Sequence, residues 1–129
     1  MPLTCSPERL PVLSSGDPLH LRVEIRPGTP AVAEVSGEID IASAAWLREA
    51  LLLAIRRHGP VICVDLRRVT FIDCSGISAL LATARRASLE GGQMRVVRPS
   101  AQAWRLIMLL SLRDVLKAGS ASAGSARKP

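Results

Sequence analysis

The run VICVDL, Val61 to Leu66, is flanked on both sides by amphipathic helical patterns, and this arrangement restricts the fold more than any other feature of the chain. The run is short, rich in β-branched residues and apolar nearly throughout, as a mid-sheet strand covered on both faces should be. Before it, SAAWLREALLLAIRRH (Ser43 to His58) sets Leu47, Ala50, Leu51, Ala54 and Ile55 at helical spacing, and Gly59-Pro60 ends the pattern. After it, Ile77, Leu80, Leu81, Ala84 and Ala87 repeat that spacing up to Gly91-Gly92, and QMRVV follows as a further strand. Strands separated by helices need crossover connections, so neighbouring strands here are predicted to run parallel.

Upstream, LHLRVEIR (Leu19 to Arg26) alternates apolar and polar residues, and PGTP turns the chain into AVAEVSGEI, which predicts a hairpin. Downstream, Ser100 is placed to cap a third helix, AQAWRLIMLL, and a shorter helical piece is expected around Leu112 to Lys117. The fold class is therefore α/β, a small mixed sheet flanked by about four helices. A chain of 129 residues, 48% hydrophobic and only 2% aromatic, supplies one core, and that core must be aliphatic. Trp46 and Trp104 are expected to be partly buried anchors within it.

Residues 1–18 and 118–129 are rich in small and polar residues without periodicity, so they are expected to be flexible ends around a domain at 19–117. No window approaches 18 apolar residues and the start lacks a signal-peptide pattern, which predicts a cytoplasmic protein with no direct membrane insertion. Cys5, Cys63 and Cys74 are an odd set without metal-ligand spacing and are expected to be free thiols. The net charge of +6 comes from arginines scattered along the chain, without the clustering or aromatic residues of a nucleic-acid binder.

The strand-to-helix turns of a parallel sheet gather at one end, and two polar turns, SGEIDIAS and FIDCSG, should meet there. They carry Glu38, Asp40, Ser43, Asp73, Cys74 and Ser75. Helix capping accounts for most of these residues, because Asp and Ser satisfy the free N–H groups of a first turn. A divalent-metal site would need the three carboxylates to converge, and neither turn has a glycine-rich phosphate loop. Cys74, at a helix start, is a candidate nucleophile, but the histidines, His20 on the first strand and His58 at the far end of the first helix, are not expected near it. Cys63 reads as a small core residue.

Taken together, SGEIDIASAAWLREAL, VICVDLRRVTFIDCSGISALLATARRA and GGQMRVVRPSAQAWRLIMLLSLRDVL resemble the STAS domain of bacterial anti-sigma factor antagonists. The resemblance implies the STAS fold and a binding activity rather than an enzymatic one, with no cofactor. It implies as partner an anti-sigma factor with a serine-kinase fold, whose capture frees a sigma factor, and a phosphatase that reverses the kinase's action. In that family the phosphorylated Ser directly follows the Asp of a D-S-[ST]-G turn; here Cys74 holds that place and Ser75 the next, so Ser75 becomes the acceptor candidate. The partner-binding set implied is Glu38, Asp40, Asp73, Cys74, Ser75, Gly76 and Ile77. Two other roles compete: a STAS subunit of a larger assembly, such as a lipid transporter or stress-signalling complex, and a thiol-based redox sensor centred on Cys74.

Overall fold

The computed structural model describes residues 20–119. Leu19 and the expected N-terminal segment 1–18, Cys5 included, together with residues 120–129, lie outside the described residues. In chain order the elements are β1 (Leu21–Arg26), β2 (Ala31–Ile39), α1 (Ala44–His58), β3 (Val61–Ile72), α2 (Cys74–Leu89), β4 (Gln93–Val97) and α3 (Ala101–Leu109). One four-stranded sheet has the order β1-β2-β3-β4. The hairpin β1–β2 is antiparallel, and β2–β3 and β3–β4 are parallel, each joined through a helix as the apolar periodicity predicts.

The period of two along each strand sorts the sheet into two unlike faces. Val23 and Ile25, Ala33 and Val35, Ile62 and Val64, and Met94 and Val96 join the core cluster. That cluster also holds Leu47, Leu51 and Ile55 of α1 and Ile77, Leu80 and Ala87 of α2. The alternate positions carry charge instead: Arg22, Glu24 and Arg26 on β1 and Glu34 on β2, with Arg26 paired to Glu34. Asp65 belongs to this second set yet is only 4% exposed. Its carboxylate accepts from the Arg67 amide at 2.9 Å and from Arg98 Nη2 at 3.2 Å, which compensates its burial. Trp46 and Trp104 are half-buried against the core, as expected.

Three expectations change. VICVDL is apolar on one face only, because Cys63 and Asp65 point away from Ile62, Val64 and Leu66. The strand also runs on to Ile72, since Arg68 to Ile72 pair with Ser36 to Ile39 through two register shifts. The expected fourth helix at Leu112–Lys117 is instead a series of turns, bounded by Ser111 and Lys117 at φ of 57° and 51°. Residues in the left-handed region end a helix, and five positions between two of them cannot sustain one. The turns bury Leu116 completely and lay the chain along β4, where the Val96 amide donates to the Leu116 carbonyl and the Gly119 amide to the Val96 carbonyl. Packing thus reaches Ala118, itself buried, one residue past the expected boundary.

Leu116 and its neighbour test this arrangement. Leu116→Ala is expected to cost about 2–4 kcal/mol in urea unfolding, the range for emptying a core leucine site. Val115→Ala, at a residue 55% exposed, is expected to change stability by less than about 0.5 kcal/mol.

Candidate functional site

The C-terminal ends of β2 and β3 lie side by side, with Glu38 opposite Phe71 and Ile39 opposite Ile72. Past the last pair, the Asp73 amide donates to the Ile39 carbonyl at 3.2 Å, so the two strand-to-helix turns leave the sheet from one joined point. This brings Glu38, Asp40, Asp73, Cys74 and Ser75 to one end of the molecule, as the topology predicts.

Each turn is fixed by its own aspartate. Asp40 Oδ1 accepts from the amides of Ala42 and Ser43 at 3.0 and 3.3 Å, and its carbonyl accepts from the Ala44 amide at 2.8 Å. Ser43 does not cap α1 with its side chain; its hydroxyl turns back, donating to the Glu38 carbonyl at 3.1 Å and accepting from the Asp40 amide at 3.1 Å. The serine is 1% exposed, so its hydroxyl satisfies buried backbone and is withheld from any partner.

Asp73 is the N-cap of α2. Its Oδ1 accepts from the Ser75 amide at 2.9 Å, the Gly76 amide at 3.2 Å and the Ser75 hydroxyl at 2.5 Å. Burial alone would raise its pKa, but these donors favour the ionised form and hold the carboxyl below its ordinary range. Cys74, the first residue of α2, is exposed. Cys63 is half-buried on β3; burial pushes its thiol up, with Arg95 opposing, so it is a sheet residue rather than a reactive one.

Gly76 and Ile77 lie inside. A Cβ on Gly76 would stand 2.6 Å from Ile39 Cγ2 and 2.7 Å from Ile72 Cγ1, so only glycine lets the helix start rest on both strand ends. Ile77 is 2% exposed and belongs to the core cluster. These two therefore seat the turn from below, while Glu38, Asp40, Asp73, Cys74 and Ser75 remain at least partly accessible. Among the described residues no group of three His, Cys, Asp or Glu is placed to hold a metal ion.

Two residues join this end beyond the set that the sequence assigned to it. Ile41, at the tip of the β2–α1 turn, is 82% exposed, an apolar side chain where turn chemistry calls for a polar one. His20 precedes β1, which runs antiparallel to β2 and so starts where β2 ends. Its carbonyl accepts from the Glu38 amide at 2.9 Å, an approach that Gly37 permits because a Cβ there would meet that carbonyl. The antiparallel start of the hairpin was the signal that could have placed His20 here.

Comparison with known proteins bears on the fold. A family model described as "Mlab, STAS domain" matches residues 22–117. The anti-sigma-B factor antagonist of Bacillus subtilis (strain 168) is 24% identical over 107 residues, covering 82% of this chain and 97% of that protein. A crystal structure of an anti-sigma factor antagonist from Mycobacterium paratuberculosis superposes with a TM-score of 0.68 at 27% identity, covering 76% of this chain and 84% of that one. The anti-sigma factor antagonist SpoIIAA in its unphosphorylated form has the same fold, with a TM-score of 0.62 at 20% identity over 79% of this chain and 90% of that one.

The Asp73 cap makes a prediction about pH. A carboxylate with a lowered folded-state pKa contributes stability that is present above its unfolded pKa and is lost as pH falls towards the folded one. Asp73→Ala is therefore expected to cost about 1 kcal/mol at pH 7. The deficit should shrink below roughly pH 4, as the wild-type carboxyl itself protonates; urea unfolding of both proteins across pH 7 to 3 measures it.

Proposed function

The chain belongs to the STAS domain family, and from that membership we propose that it is an anti-sigma factor antagonist, acting by binding rather than by catalysis. Its partner is an anti-sigma factor of the serine-kinase type, and its capture releases a sigma factor to RNA polymerase in the cytoplasm. The docking surface is the joined end of β2 and β3: Glu38, Asp40 and Ile41 from one turn, Asp73, Cys74 and Ser75 from the other, with Gly76 and Ile77 supporting them from beneath. The described residues include no helix long and apolar enough to cross a membrane.

One observation carries this reading: the Ser75 hydroxyl, on an accessible helix start, is hydrogen-bonded to the Asp73 carboxylate at 2.5 Å. While neutral, the hydroxyl donates a hydrogen bond to the carboxylate and tightens the cap. A phosphoryl group there could no longer donate, and it would bring a charge of about −1.5 to −2 against an ionised neighbour. The modification therefore opposes the cap itself as well as altering the surface offered to a partner. With Cys74 in the family's acceptor position, Ser75 is the hydroxyl left for a kinase to use.

Calorimetry with the cognate anti-sigma factor tests the surface. Glu38→Lys and Ile41→Asp change exposed side chains and are each expected to weaken binding at least tenfold, about 1.4 kcal/mol, with unfolding curves unchanged. Wild-type affinity in both would remove this surface from consideration. Incubation with the kinase and ATP, read by intact mass, tests the acceptor: wild type should gain one phosphate and Ser75→Ala none. Phosphate appearing only in Cys74→Ser would show that the natural cysteine disables the switch.

A further inference from the structure

β3 outruns its neighbour. Its pairing with β4 ends at Asp65 opposite Val97, whereas its pairing with β2 continues to Ile72. The edge of β3 beyond Asp65 thus has no strand beside it, although the residue that ends it stands directly before Asp73. A strand edge left open in this way exposes backbone donors and acceptors, and it is free to fray. Here it is closed by α3. The Ser100 amide donates to the Leu66 carbonyl at 3.2 Å. Then the Gln102 side chain takes both groups of Ile72: Oε1 accepts from the Ile72 amide at 2.7 Å, and Nε2 donates to the Ile72 carbonyl at 3.1 Å.

A primary amide is suited to this task because it offers one acceptor and two donor hydrogens from a single planar group, much as a backbone peptide does. A carboxylate cannot donate and a guanidinium or ammonium cannot accept. Gln102 is itself held in place, as the second residue of a helix whose N-cap Ser100 accepts from the Ala103 amide at 3.3 Å. A continuous path of hydrogen bonds and one peptide link leads from Gln102 to Ile72, then to Asp73, and through its carboxylate to Ser75.

We infer that Gln102 is a positioning residue for the Asp73–Ser75 turn: its amide acts as a one-residue substitute strand that fixes the end of β3, and so sets where the capping carboxylate and the Ser75 hydroxyl stand. This rests on the site proposed above for its importance to binding, but not for its effect on the turn. α3 thereby becomes part of the site from thirty residues away in sequence.

The test is NMR on the full chain, comparing wild type with Gln102→Met, which keeps length and removes the amide, and with Gln102→Glu. Gln102→Met is expected to lower the exchange protection of the Ile72 amide at least tenfold more than that of Val64, which lies where β4 still pairs. It should also move the Asp73 titration upwards, towards its ordinary range, as the cap loosens. Gln102→Glu should show the same loosening at pH 7 and lose it as the introduced carboxyl takes up a proton and regains a donor for the Ile72 carbonyl. Uniform loss of protection with an unmoved Asp73 titration would overturn the inference, as would wild-type protection at Ile72 in Gln102→Met. Should Gln102→Met fail to fold, the pH reversal in Gln102→Glu decides alone. A loosened turn in a protein whose wild type binds no anti-sigma factor would sink the proposed function and leave this inference standing.

Discussion

The hydrogen bond from the Asp73 amide to the Ile39 carbonyl joins the two chain segments that leave the sheet for α1 and α2. On one side of it lies the turn organised by Asp40, on the other the turn organised by Asp73. Because the bond continues the β2–β3 pairing beyond its last residue pair, the position of either turn is inherited from the register of the whole sheet. Gly76 completes the arrangement by letting α2 begin in contact with Ile39 and Ile72, the two residues that end the strands. Local capping chemistry and global register are therefore coupled at a single point.

The elements readable from the sequence are those whose pattern is decided by one buried face. The hairpin, α1, α2 and the parallel crossovers all follow from apolar periodicity, because their core-facing residues fall at regular intervals. What escaped reading depends on partners distant in sequence. The strand reads as ending at Leu66 because Arg67 and Arg68 break its apolar run, and only pairing with β2 carries it on to Ile72. Ser43 has the composition of a cap but is recruited by the Glu38 carbonyl and the Asp40 amide. Gln102 has no local signal at all, since a glutamine two residues into a helix is ordinary until its partner thirty residues earlier is known. The acidic end of the molecule was legible as a set of residues, while the division between those that face outward and the two that lie beneath required packing distances.

The charge distribution sets this end apart. The chain carries 17 basic and 11 acidic residues, and three of the acids, Glu38, Asp40 and Asp73, stand at or beyond the joined ends of β2 and β3. Arg56 and Arg57 stand in the last turn of α1 and Arg86 in that of α2, where cations complement the helix dipole.

The strands of this sheet stand in the order in which they are synthesised. Each new strand pairs with its predecessor, so the sheet grows along one edge and never waits for a strand to be inserted between two others. Contacts between near neighbours in sequence cost less loop entropy than distant ones, and they favour rapid folding. The Asp73 turn can take shape as soon as β2, β3 and the start of α2 have emerged, but its outer edge stays open until α3 follows and supplies Gln102. The newly made protein acquires its fold from the N-terminal side and the final setting of its most exposed turn from the C-terminal side.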